Sequence, residues 1–229
     1  CENQRGIMNN FKLANDGKFT NLEIKIENIY ICGYTSRDKQ ALQAHIEELK
    51  KIGVTPPEKI PMLFKKANLS VAINTDIRVI SDDTSGEAEF FLYLLNDKIY
   101  IGVASDHTDR GMEQYNVEKS KQICPVVLSE VVWDYSQIKE WESFTLKSWA
   151  FQGNEKILYQ EASIGIFMKP EEIIDFVKKE TQSNLNNSII LCGTPPLIPE
   201  QIIYTNKFYC ELSNPSDMKI SLEYQIKRI

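Results

Sequence analysis

Histidine is scarce in this chain of 229 residues, which holds two of them, and apolar runs of membrane-spanning length are missing. A bilayer-crossing helix needs roughly 20 apolar residues in succession, so no membrane partner is expected. The five cysteines (Cys1, Cys32, Cys124, Cys192 and Cys210) form an odd, scattered set with no Cys-x-x-Cys pair. That spacing excludes a zinc ribbon and speaks against a disulfide framework, and it suits reduced thiols in the cytoplasm. There is no Walker loop, no glycine-rich dinucleotide fingerprint and no Gly-x-Ser-x-Gly elbow. Positive charge is in deficit: 26 Lys and Arg stand against 32 Asp and Glu, a formal charge of -6. A nucleic-acid binder needs a basic surface to displace counterions, so no nucleic-acid partner is expected either. Repeats, low-complexity tracts and an interdomain linker are likewise missing.

What is present is ordinary globular composition, with 42% hydrophobic and 25% charged residues. The length divides into N-terminal strands or an arm over 1–30 and a main domain over 31–229. A lipid-modified Cys1 is weighed against Met8 as the start of a natural strand, and the cytoplasm is the expected location. Alternating apolar and polar positions predict strands through FKLAND and FTNLEIKIENIYICGYT, ending in a turn at Gly33. The period then changes. SRDKQALQAHIEELKKIG predicts a helix with Ser36 as cap, Ala41, Leu42, Ile46 and Leu49 on its apolar face, and Gly53 as its stop. Further strands follow, with a tight turn at Asn96-Asp97. PEEIIDFVKKETQ predicts a second helix with proline in its first turn, and SIILCGTPP a buried strand entering a rigid turn. The outline is mainly β with a few helices.

The chemistry concentrates between Ser85 and Pro125. Glu87 and Glu89 lie two apart on a predicted strand, so both point to one side. Asp106 ends the next strand. Three carboxylates from paired strands suit a hard divalent cation such as Mg²⁺ or Mn²⁺. Taken alone, a Glu-x-Glu pair is more often a solvated face. His107 and Arg110 follow Asp106 within reach of an anionic ligand, and Lys119 and Lys121 precede Cys124-Pro125 near a predicted strand start. On the first helix His45 and Glu48 are three apart and share a face. They read either as an exposed pair or as a dyad in which Glu48 orients His45 to activate water.

Together these segments resemble the fumarylacetoacetate hydrolase family. CGYT, HIEE and MLFKKA resemble its N-terminal motifs. GEAEF matches its Glu-x-Glu, SDHTDR its Asn-Asp-x-Ser-x-Arg-Asp, KSKQICP its Lys-Ser-Phe-Asp-x-x-Cys-Pro with one residue fewer, and NNSIILCGTPP its Gly-Thr-Pro turn. The resemblance covers most of the chain with its motifs in order. It departs in the short segment between Glu89 and Asp106 and at His107, Asp109 and Gly111, as in a divergent bacterial-type branch.

That resemblance implies a rolled β-sheet pseudo-barrel and a homodimer. It implies Glu87, Glu89 and Asp106 as ligands of Mg²⁺ or Mn²⁺, with Ca²⁺ as a substitute in crystallisation. His45 and Glu48 become the water-activating dyad, with either Lys119 or Lys121 assisting. Tyr34, His107, Arg110 and Thr194 are placed at a small oxo-acid substrate. The expected activity is metal-dependent hydrolysis of a carbon–carbon bond in a 2,4-dioxo acid of the acylpyruvate type. Decarboxylation, hydration or tautomerisation of a related oxo acid is the alternative. A non-catalytic binder of small carboxylates is the alternative from another class.

Overall fold

The computed structural model describes residues 7–15, 17–51, 56–57, 59–67, 70–216 and 218–229, without the side chains of residues 7, 41, 44, 45, 48, 49 and 51. Three strands open the chain: β1 (Ile7–Asn15), β2 (Lys18–Ile26) and β3 (Asn28–Gly33). Helix α1 (Lys39–Lys51) follows, then short strands β4 (Met62–Lys66), β5 (Val71–Ile73), β6 (Ile77–Val79) and β7 (Thr84–Ser85). The central hairpin is β8 (Ala88–Leu95) and β9 (Lys98–Asp106), succeeded by β10 (Thr108–Asp109), α2 (Arg110–Glu113) and α3 (Val117–Ile123). Strands β11 (Val126–Leu128), β12 (Val131–Asp134), β13 (Thr145–Gln152) and β14 (Glu155–Ser163) lead to α4 (Pro170–Thr181). The chain finishes in β15 (Ser188–Leu191), β16 (Lys207–Ser213) and β17 (Lys219–Arg228).

The strands form two main sheets. The larger runs β2-β1-β12-β9-β8-β15-β3-β4, with β11 and β5 attached beside β9, and the smaller runs β14-β13-β16-β17-β6. The hairpin β8–β9 lies at the centre of the larger sheet and turns at Asn96 and Asp97, whose φ values are +49° and +61°. Positive φ at both positions is what a two-residue turn matching the twist of its strands requires.

The run FFLYLL in β8 does not alternate in polarity because both of its faces are covered. Phe90 and Leu92 join one core between the two sheets, while Phe91 and Tyr93 join a second. The second core draws Phe11 from β1, Ile24 from β2, Ile31 from β3 and Phe64 from β4, at opposite ends of the sheet order. Side chains from both ends of a sheet can meet on one face only if the sheet curls. Phe11 accordingly packs on Phe91 with ring centroids 5.7 Å apart. The architecture is the rolled, mainly β fold that the motifs led one to expect.

The first helix is capped differently from the expectation. Its cap is Asp38, whose Oδ1 accepts from the Gln40 amide at 2.9 Å, whereas Ser36 forms a bridge with Phe167. Gly53, the expected stop, lies outside the described residues. The other long helix, α4, carries Pro170 in its first turn and buries Ile173, Ile174 and Val177. Among the described residues no helix is long and apolar enough to cross a membrane.

Candidate metal and oxo-acid site

Strand register assembles the carboxylates. The Asp106 amide donates to the Glu87 carbonyl at 3.0 Å, so these two residues stand opposite each other, and Glu89 lies two positions further along β8. In an antiparallel pair, opposite residues and their i+2 neighbours share a face. That face also carries Phe91, Tyr93 and Ala104, so the carboxylates crown one end of the curled sheet above its inner core. One oxygen from each of Glu87, Glu89 and Asp106 lies within 4.8 Å of the others.

Asp106 is fully buried, and its Oδ1 has no hydrogen-bond partner among the described residues. A buried carboxylate oxygen left without a donor is costly. The orphaned oxygen together with the all-oxygen donor set fits a hard divalent cation. Glu89 is held by the Gly193 amide, which donates to Oε2 at 2.6 Å. Burial first, then the nearby charge of Asp106, pushes the Glu89 carboxyl well above the usual carboxylate range. A cation would reverse that balance.

Lysine stands beside this cluster. Lys121 Nζ lies 2.5 Å from Asp106 Oδ2 and 3.4 Å from Glu87 Oε2. Burial opposes its charge, but Asp106, Glu87 and Glu113 outweigh it and raise the ammonium pKa. The lysine pair lies on helix α3, just ahead of the start of β11, and the helix is capped by Asn116 accepting from the Lys119 amide at 2.9 Å. Two positions on a helix are about 200° apart, so Lys121 faces inward while Lys119 is exposed. Lys66 on β4 fastens this helix from below, donating to the carbonyls of Lys121 and of Cys124, the latter at 2.6 Å. Its pKa is lowered to about 8, chiefly by burial.

A cavity of about 330 Å³ opens over the carboxylates, lined by Tyr34, Leu42, Phe64, Glu87, Glu89, Glu113, Lys121, Phe167 and Thr194 among others. Tyr34 sits at φ +59°, a conformation uncommon for an aromatic residue. Thr194 Oγ1 accepts from Gln160 Nε2 at 2.7 Å.

Two of the expected substrate residues are placed otherwise. His107 is fully buried, with Nδ1 2.9 Å from Tyr224 Oη and Nε2 3.0 Å from Thr84 Oγ1. Both ring nitrogens are engaged by the scaffold, and burial pushes its pKa down to about 3. Arg110 lies behind the wall. Its Nε donates to Ser85 Oγ at 2.7 Å, and its Nη1 lies 2.7 Å from Glu113 Oε2 and 3.0 Å from Glu87 Oε1. The side chains of His45 and Glu48 lie outside the described residues, although their helix brings Leu42 to the cavity.

Glu113, Lys66 and Gln160 were not singled out from the sequence. The spacing Arg110…Glu113 is a signal for the first, since residues three apart share a helix face. Gln160 had none. A bulge between Ser148 and Trp149 shifts its strand's register, and Gln160 and Tyr159 are both buried as a result.

A family model described as "Protein of unknown function (DUF2848)" matches residues 32–224. The chain belongs to that family. No curated protein matches it by sequence. Solved structures share the fold of this DUF2848 protein at low identity. One is 2-keto-3-deoxy-D-arabinonate dehydratase complexed with magnesium and 2,5-dioxopentanoate (TM-score 0.65, 14% identity, covering 93% of this chain and 85% of that one). Another is 5-carboxymethyl-2-hydroxymuconate delta-isomerase from Mycobacterium smegmatis (TM-score 0.64, 13% identity, 98% and 94%). A third, from Yersinia pestis CO92, is assigned to the fumarylacetoacetate hydrolase family (TM-score 0.60, 16% identity, 91% and 96%). The DUF2848 chain therefore has a fumarylacetoacetate hydrolase-like fold.

Proposed function

We propose that this DUF2848 protein is a divalent-cation-dependent hydrolase of 2,4-dioxo acids of the acylpyruvate type, from a divergent branch of the fumarylacetoacetate hydrolase family. The observation that carries it is the partnerless buried Asp106 Oδ1 beside Glu87 and Glu89, which themselves line a substrate-sized cavity. These three carboxylates would hold Mg²⁺ or Mn²⁺, which would supply Lewis-acid polarisation for the oxo-acid substrate. Magnesium in the dehydratase of like fold supports that choice of ion.

The chain's own groups do the rest. His45, three positions along the helix from the cavity-lining Leu42, takes a proton from water, and Glu48 orients its imidazole. The water oxygen adds to the distal carbonyl. The adjoining carbon–carbon bond breaks, and its electron pair passes toward the 2-oxo end of the molecule. His45 returns its proton to that carbon, giving a carboxylic acid and pyruvate. Lys121 contributes a fixed positive charge next to the developing anion, and Thr194 orients the substrate's oxygens. Tyr34 closes the wall. A homodimer in the cytoplasm acting on a small molecule completes the proposal.

Incubating an acylpyruvate with Mg²⁺ and the wild-type protein or His45→Ala tests it. Two acid products, formed far faster by wild type, are expected. Equal rates would remove His45 from the chemistry. Release of CO₂, gain or loss of water, or an isomer of unchanged mass would instead favour a decarboxylase, a hydratase or a tautomerase, the last two of which the dehydratase and isomerase of like fold keep in view.

A further inference from the structure

We infer that the cavity selects 2-oxo acids with a single carboxylate and an uncharged tail, and that Glu113 is the residue that turns a second carboxylate away. This rests on the oxo-acid chemistry proposed above for the same site. Apart from Glu87 and Glu89, the described wall carries two charged side chains, Glu113 and Lys121, and much of the remainder is apolar, including Leu42, Phe64 and Phe167. Apolar walls favour hydrocarbon tails.

The cations are already committed. Lys121 is paired with Asp106 and Glu87. Arg110 is buried behind the wall and paired with Glu87 and Glu113. Neither is placed as a clamp for a second carboxylate, which a site reading dicarboxylates would need. Glu113 itself is buried, accepts from Arg110 Nη1 at 2.7 Å, and still reaches the cavity. Its charge is felt at the Tyr34 hydroxyl, whose pKa is raised by burial and next by Glu113.

Charge balance points the same way. Glu87, Glu89, Asp106 and Glu113 face Lys121, Arg110 and, below α3, Lys66, leaving one negative charge in excess, which a divalent cation turns into one positive charge. A substrate with one carboxylate then leaves the site neutral. A second carboxylate would be added beside Glu113 where burial weakens solvent screening.

The test is calorimetric titration of the Mg²⁺-loaded protein with 5-methyl-2-oxohexanoate and with 2-oxoglutarate. The two terminal methyls of the first stand where the second carries its distal carboxylate oxygens. The first should bind at least about tenfold more tightly, equivalent to about 1.4 kcal/mol, and Glu113→Gln should narrow that ratio severalfold. Equal or tighter binding of 2-oxoglutarate to wild type would overturn the selectivity while leaving the oxo-acid proposal standing. An unchanged ratio in folded Glu113→Gln would overturn the role of Glu113. If that variant does not fold, Glu113→Ala with the same ligand pair decides. Binding of neither ligand would overturn both this inference and the proposed function.

Discussion

The amide of Gly193 donates to Glu89 Oε2 at 2.6 Å and thereby joins the turn after β15 to a carboxylate on β8. Only a residue without a side chain fits there. Gly193 has φ +113°, and a Cβ would come 2.2 Å from Thr35 Oγ1, which itself donates to the Cys192 carbonyl at 2.8 Å. Gly193→Ala should therefore cost about 2–3 kcal/mol of stability, read by urea denaturation, and should weaken any response to Mg²⁺ because the Glu89 carboxylate loses its anchor.

Glu89→Gln should separate stability from cation binding. In the free protein Glu89 is buried beside Asp106, which disfavours its charge. A neutral amide of the same shape should melt at or above the wild-type temperature in chelator. Mg²⁺ at a hundredfold over its Kd should add about 2.7 kcal/mol to wild type and essentially nothing to the variant. A calorimetric melt with and without Mg²⁺ checks both halves, and equal stabilisation of the two proteins would count against the three-carboxylate site.

The two lysines of helix α3 should behave very differently. Lys121→Met leaves the fully buried Asp106 without its cation, and breaking a buried pair in this way costs about 3–5 kcal/mol. Lys119→Met removes an exposed charge and should stay within about 0.5 kcal/mol of wild type. Comparable losses by chemical denaturation would contradict the inward placement of Lys121.

Acid should destabilise the protein through His107. Its pKa is about 3 in the fold against an ordinary 6.5. Between these values the unfolded chain binds a proton that the folded chain does not, so stability falls as pH drops from about 6.5 to about 3. The full effect of one such group is on the order of 5 kcal/mol. His107→Gln, which can still bridge Tyr224 and Thr84, should show a flatter stability profile over that window. Parallel profiles for the two proteins would show that His107 is not the acid-sensitive group.

Much of the site was legible in the one-dimensional pattern. The i, i+2 spacing of Glu87 and Glu89 and the strand-ending position of Asp106 are enough to aim three carboxylates at one place, because alternation along a strand is strict. The turn at Asn96-Asp97 and helix α4 were equally local matters of φ and of periodicity. Where the chain departed from expectation, a longer-range constraint intervened. Lys119 and Lys121 cannot be told apart by the motif KSKQICP, because it is one residue shorter than the family's and either lysine can be aligned. Once Asn116 caps a helix there, the 200° between them decides which is buried. His107 looked available because a histidine beside a carboxylate in a polar stretch suggests a ligand contact, whereas Tyr224, more than a hundred residues later, occupies one of its nitrogens.

Sequence by itself determined which residue types share a strand or helix face, since that depends only on the repeat of the backbone. Tertiary structure alone decided the partners of Glu89: the amide held at Gly193 by a turn no other residue could make, and the pairing that sets β15 between β8 and β3 beside the inner core. Those contacts join positions up to 160 residues apart, and their geometry follows from packing and register across strands, which no local period encodes.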